Sequence, residues 1–261
     1  MLRALWQYRG FIVGMVRREF HARYLNSLLG GVWAVLNPLV MIAIYTLIFS
    51  GIIGARLPGS NDNLSYSLYL CAGLLPWMYF AELVSRCQTV FLEHAALLKT
   101  VSFPRISLPA ILLLSTTLNF AIIFSLFLGF LVVTLRFPGW EILAFLPVLG
   151  LQQAFALGLG ILLGTINVFF RDVAQFVGIG LQLWFWLTPI VYTTVMLPEW
   201  ARRVLELNPM YGFVSAYQAI VVSHQWPQWT ALSPHLLATV VLLIVAFLTF
   251  ARLSGEMVDE I

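Results

Sequence analysis

Charge is what this sequence has least of. Only 10% of its 261 residues are Asp, Glu, Lys or Arg, against roughly 25% in ordinary soluble domains. Hydrophobic residues make up 61% of the chain and the mean hydropathy is +0.93. No single soluble core could hide that much apolar surface from water, so a soluble globular domain is excluded and an integral membrane domain is expected. Cysteine is scarce as well. Cys71 and Cys87 would stand roughly 24 Å apart on a continuous helix at ~1.5 Å per residue, beyond disulfide reach. The four His and two Cys have no metal-ligand spacing. Glycine is missing where a nucleotide site would need it. Lys99-Thr100 matches the end of a phosphate-binding loop, but the preceding EHAALL has no glycine to let the backbone N–H groups form a cradle. This chain is not expected to bind ATP.

What is present is a series of apolar runs about 20 residues long, the length that crosses a ~30 Å hydrocarbon core. Six are expected to span: Val32–Gly54, Leu64–Val84, Leu108–Leu135, Ile142–Ile166, Ala174–Met196 and Leu236–Ala251. All should be helices, because a helix satisfies its own backbone in lipid. The expected organisation is an interface segment over residues 1–31, a six-helix membrane domain over 32–252 and a cytoplasmic tail over 253–261. With both termini inside, Arg3, Arg9, Arg17, Arg18, Arg23, Arg86, Lys99, Arg105, Arg171 and Arg252 are cytoplasmic. Arg56, Arg136, Arg202 and Arg203 are outside, so ten of the 14 basic residues lie inside, as the positive-inside rule favours. The opening residues have no apolar run long enough for a cleavable signal.

Before the first span, Leu2, Leu5, Trp6, Ile12, Val13, Val16, Phe20 and Tyr24 gather on one side of a helix wound at ~100° per residue. Arg3, Gln7, Arg17, Arg18 and His21 gather on the other. That pattern suits a helix lying flat in the cytoplasmic interface; a flexible basic tail is the alternative. Between the last two spans, LPEWARRVLELNPMYGFVSAYQAIVVSHQW is too long for a simple loop. Its apolar part, Tyr211–Val222, is about half of membrane length, which suits a re-entrant or interfacial piece. Asn208-Pro209 should break this segment in two. The halves would form an outer lid, or else surface helices with no gating role. The stretch TINVFFRDVAQF (165–176) places Arg171 and Asp172 between two apolar runs, and a tight cytoplasmic turn is expected there rather than a buried ion pair.

RYLNSLLGGVWAVLNPLVMIAIYTLIFS, AGLLPWMYFAELVSRCQTVFLEHAALLKTVSFPR, NVFFRDV, WFWLTPIVY and PEWARRVLELNP, in this order, resemble the permease subunits of type-2 ABC exporters for polysaccharides. That family includes O-antigen, capsule and teichoic-acid export permeases. The resemblance runs from Arg23 to Gln218. It implies a homodimer of six-span subunits with one ATPase beneath each, which alone binds ATP and Mg, and no cofactor in this chain. It implies a bacterial inner membrane location and a lipid-linked glycan as substrate, O-antigen being the variant favoured over capsule or teichoic acid. It also implies a channel between subunits built from the first and fifth spans, and outer gate helices carrying Trp200, Asn208, Pro209 and Tyr211. The ATPase contacts would be a coupling helix in EHAALLKTVSFPR, with Glu93, Lys99, Phe103 and Arg105, and a smaller one at Arg171 and Asp172.

On the fifth span Gln175, Gln182, Trp186, Pro189 and Thr193 fall on one helical stripe. On the first, Tyr45 and Phe49 are a turn apart. Glutamines facing lipid are costly, so the stripe should face protein or a hydrated channel, where aromatic faces suit sugar C–H groups. Helix–helix packing would account for it equally. Two other functions fit poorly. An ATP-independent, proton-driven flippase needs ionisable groups deep within spans, and only Glu82 comes near. A membrane glycosyltransferase needs clustered acids or His on an outer loop, but Asp62, Glu141, Glu199 and Glu206 are scattered.

Overall fold

The computed structural model describes residues 6, 8–24, 32–48, 63–100 and 103–260. Among these the chain is helical and has no strand. The helices are α1 (Arg9–Tyr24), α2 (Val32–Tyr45), α3 (Asn63–Glu93), α4 (Ala95–Thr100), α5 (Ser107–Val133), α6 (Phe145–Phe169) and α7 (Val173–Trp186). They continue with α8 (Glu199–Glu206), α9 (Pro209–Val222), α10 (Trp229–Leu253) and α11 (Met257–Glu260), and 3-10 turns cover Gly139–Ala144 and Thr194–Met196. Among the described residues four helical stretches are long and apolar enough to cross a membrane: Leu64–Glu93, Ser107–Val133, Gly139–Phe169 and Trp229–Leu253. Leu39–Ile48 and Val173–Trp186 are shorter apolar helices.

The α3 helix is the axis of the molecule. In its most apolar window 78% of the residues are buried, against 17% for α10, so α10 is peripheral. It leaves Leu237, Val241, Ile244 and Leu248 exposed, as a lipid-facing helix must. Lipid tails are as apolar as leucine, so helices in a membrane associate by close packing and interhelical hydrogen bonds. Both occur between α3 and α6. A Cβ on Gly160 would lie 2.4 Å from the Cβ of Cys87, and one on Gly164 2.5 Å from the Cys87 carbonyl oxygen. Only glycine at these two positions, one turn apart, lets the backbones approach so closely. Asn167 Nδ2 then donates to the Gln88 carbonyl (2.9 Å). Gln152 Nε2 donates to the carbonyl of Pro76 (3.0 Å), and Gln152 Oε1 accepts from Tyr217 (2.6 Å). Cys71 and Cys87 are both buried free thiols on α3.

Several elements differ from the sequence expectation. The second span continues past Val84 to Glu93, and the last begins at Trp229 rather than Leu236. The expected fifth span is not one helix. It stops at Trp186, because Pro189 has no N–H to give the Phe185 carbonyl and Thr188 before it is pushed away from α geometry. The α1 helix turns Ile12 and Val16 onto Ile111, with Phe11 and Met15 beside them, while Trp6 and Val13 of its expected apolar face stay exposed. Arg9, which interrupts that face, stacks over the Trp6 ring at 5.2 Å. In the last segment Met257 is fully buried in the main core, where α11 packs on α4 and α6.

Candidate functional site

One end of the bundle carries Arg86, Lys99, Arg105 and Arg171. It holds the end of α3, the α4 segment, the start of α5 and the turn between α6 and α7. The ring of Phe91 near the end of α3 stacks on Phe250 of α10 (5.7 Å), which brings Arg252 to the same end. Within it, Arg171 and Asp172 form an exposed turn, and the Asp172 carbonyl accepts from the Gln175 and Phe176 amides (both 3.1 Å). The turn comes out of the bundle, so neither charge bears the several-kcal/mol desolvation of a buried ion. Phe169 packs against the core, whereas Phe170 is 67% exposed. Glu93 and Lys99 are exposed; Phe103 and Arg105 are half-buried.

Two contacts tie α1 to this end. The Phe103 ring lies 5.3 Å from that of Phe11. The Arg86 guanidinium pairs with Glu19 on α1 and reaches Glu82 at 3.8 Å on its own helix. Glu82 in turn accepts from Asn119 of α5 (3.3 Å). A half-buried charge chain therefore joins α1, α3 and α5 beside the candidate coupling segment. Glu82 and Asn119 are polar residues within spans, a visible signal that spacing alone did not link to Glu19.

At the opposite end lies a second constellation, around the non-helical stretch 187–193. Irregular backbone is tolerated within a membrane domain only where protein or a hydrated cavity satisfies it. Here side chains from α3 and α9, and Asn208 between α8 and α9, do so. Tyr66 donates to the Val191 carbonyl. Tyr69 donates to the carbonyls of Pro189 and Tyr192, both at 3.1 Å. Gln218 donates to Pro189 (3.3 Å). Asn208 Nδ2 donates to the Leu187 carbonyl (3.0 Å) and the Thr188 hydroxyl (3.1 Å). Its Oδ1 accepts from the Met210 amide (3.0 Å), capping α9, and from the Trp184 indole (2.6 Å). Pro209 follows as the first residue of α9, where its missing N–H costs nothing. Arg202 closes the neighbouring turn by donating to the Thr194 and Val195 carbonyls, both at 2.9 Å. Sequence reading singled out Asn208 and missed Tyr66, Tyr69 and Gln218, which reach this stretch from far along the chain.

The candidate residues divide between these regions. Gln175, Gln182 and Trp186 are exposed along α7. Thr193 is not on their stripe: it lies beyond the helix end and is buried, as is Pro189. Tyr45 closes α2, and Phe49 lies outside the described residues. Trp200 is exposed on α8 and Tyr211 is half-buried on α9. The α9 helix packs into the bundle, with Met210, Phe213, Val214 and Tyr217 wholly buried. Among the described residues no group of His, Cys, Asp and Glu could hold a metal.

Comparison with known proteins places this architecture. Residues 11–222 match the family described as ABC-2 type transporter. The chain is 32% identical over 263 residues to the O-antigen export system permease protein RfbA of Myxococcus xanthus, covering 100% of this chain and 99% of that protein. Two proteins of the same name from Klebsiella pneumoniae are each 29% identical over 213 residues, covering 81% of this chain and 80% of each of them. With its apolar helices, exposed polar turns and end-to-end similarity to transport permeases, the chain belongs to the ABC-2 type transporter family and is a multi-pass membrane permease rather than an enzyme.

Proposed function

We propose that this chain is the membrane subunit of an ATP-driven exporter that moves a lipid-linked polysaccharide, O-antigen, across a bacterial inner membrane. The observation that carries this reading is the similarity to an O-antigen export permease over 100% of this chain and 99% of that one. Family membership implies a separate ABC ATPase, and the absence of any glycine in EHAALL agrees with ATP and Mg being bound there. Two permeases would pair with two ATPases, both termini facing the cytoplasm.

In this arrangement α7 offers Gln175, Gln182 and Trp186 to the polysaccharide path, with Tyr45 and Phe49 from the first span. Its exposed face also carries Phe176, Ile179 and Leu183, an amount of unpartnered apolar and amide surface that suits a subunit interface. Thr193 would contribute behind the path, through the backbone stretch it terminates. Trp200, Asn208, Pro209 and Tyr211 form the outer gate. The ATPase would press on Glu93, Lys99, Phe103 and Arg105, and on Arg171 and Asp172, and α3, α6 and α7 would carry that push through the bundle.

The test is genetic and biochemical together. Removing the chain from its cell should abolish surface polysaccharide while lipid-linked glycan accumulates on the cytoplasmic side. The affinity-tagged chain should bring down an ATPase in a two-plus-two complex. Undiminished surface polysaccharide in the deletion strain would rule the proposal out.

A further inference from the structure

Between α9 and the start of α10, at the end of the molecule carrying stretch 187–193, lies a cavity of about 540 Å³. It falls within the roughly 300–1,000 Å³ of small-ligand sites. Trp226, Tyr211, Glu206, Gln225, Gln228 and His235 line it. None of these belongs to the ATPase-facing end, and only Tyr211 belongs to the candidate gate.

The cavity is a shaped site rather than a slack loop. The connecting segment makes a hook in which the Ser223 and Gln225 amides both donate to the Ala219 carbonyl (3.2 Å each). This turn holds His224 at φ 52°, a left-handed conformation that non-glycine residues rarely adopt and that surrounding structure must maintain. Pro227 is buried behind the hook while Trp226 is 52% exposed. On the other wall, Gly212 makes room for an imidazole: a Cβ there would lie 2.2 Å from His235 Nε2. His235 Nδ1 bonds the Ala231 carbonyl (3.1 Å), which sets the ring against that wall.

The lining chemistry selects among ligands. No described lining residue is Lys or Arg, and Glu206 would repel phosphate, so an anionic lipid headgroup fits badly. The apolar part of the lining, Ala219, Ala231, Leu232 and Pro234 among it, is interrupted by Glu206, Gln225, Gln228 and His235, which makes a poor sleeve for an acyl chain. Two amides, a phenol and an imidazole offer both donors and acceptors, the Glu206 carboxylate accepts, and Trp and Tyr supply apolar faces with polar edges. That combination matches an uncharged polyhydroxyl chain. We propose that this cavity is a saccharide-binding subsite that holds one or two sugar units of the polysaccharide as it leaves the permease, with Trp226 as stacking platform and Gln225 and Gln228 reading hydroxyls. The proposal rests on the polysaccharide-export reading above.

The experiment uses the permease–ATPase complex in detergent, with oligosaccharides released by mild acid from the polysaccharide of the producing cell as probe. Binding is followed by saturation-transfer NMR and calorimetry. Trp226→Ala should weaken binding at least tenfold and Gln228→Ala several-fold. Trp226→Phe, which keeps an aromatic face, should retain most of it, and Trp140→Ala, exposed elsewhere, should match wild type. The subsite is overturned if Trp226→Ala binds oligosaccharide like wild type. It is also overturned if wild type binds none while its cells still export polysaccharide, an outcome that leaves the export reading standing. Loss of affinity for phospholipid vesicles alone in Trp226→Ala would make the tryptophan a membrane-interface anchor and overturn the subsite too. If surface polysaccharide in the cell does not depend on the chain at all, the export reading itself fails.

Discussion

The indole of Trp184 donates to the side-chain oxygen of Asn208 at 2.6 Å, joining the last turn of α7 to the first of α9. Around that bond the Trp184 ring meets Phe80 edge-on at 5.4 Å and Phe155 at 6.3 Å, so the aromatic core and the break in the fifth span share one residue. The same amide caps α9 and holds Leu187 and Thr188. Any movement of the outer helices must therefore move the end of α7.

Asn208→Ala should remove all four bonds and leave the Trp184 N–H without its partner. Unsatisfied buried groups cost about 1–3 kcal/mol each. The purified complex should melt at a lower temperature, and polysaccharide export should fall. Asn208→Asp keeps the acceptor and should be milder. A melting curve for Asn208→Ala that overlays wild type would mean that the outer helices are held elsewhere.

The pairing of Arg86 with Glu19 predicts a charge-reversal rescue. Arg86→Glu alone places three carboxylates together with Glu19 and Glu82, and should uncouple the complex, with ATP hydrolysis persisting while export drops. Adding Glu19→Arg should restore much of the export. A double variant no better than the single one would show that α1 is positioned by Ile12, Val16 and Phe11 alone.

Gly164→Val should prevent normal packing of α3 on α6, because the new side chain would start 2.5 Å from the Cys87 carbonyl. Overpacking in a tight interface costs about 1–3 kcal/mol, occasionally more, and the expected readout is low yield of folded protein. Gly150→Ala, where a Cβ meets nothing within 4 Å, should be silent in the same expression assay.

Arg171→Ala and Asp172→Ala should leave stability nearly untouched, since exposed substitutions of this kind change it by about 0.5 kcal/mol or less. Export should decline while the partner's hydrolysis continues or loses its stimulation by the permease. Wild-type export and stimulation in both variants would reduce this stretch to a connection between helices.

Local chemistry made much of this protein legible from its sequence. Apolar runs of membrane length announced the long helices. Asn208-Pro209 announced a break between two helical pieces, because an Asn and a proline act on the backbone within a few residues of themselves. Arg171-Asp172 announced a turn, since two adjacent charges without partners nearby belong in water. Thr188-Pro189 carried its warning too, but proline is tolerated in membrane helices when neighbours satisfy the freed backbone, and sequence does not name the neighbours.

Those neighbours were decided only by tertiary structure. Tyr66 and Tyr69 bond carbonyls more than a hundred positions away, and from their own surroundings they are simply aromatic residues on a buried helix. The face of α1 that packs depends on where Ile111 stands, which no periodicity within α1 contains. Met257 stands beside Val258 in a short, largely polar ending, yet α4 and α6 converge to bury it. In a membrane, solvent exclusion marks which segments enter but does little to choose their partners; close packing and hydrogen bonds make that choice, and both depend on residues distant in the chain.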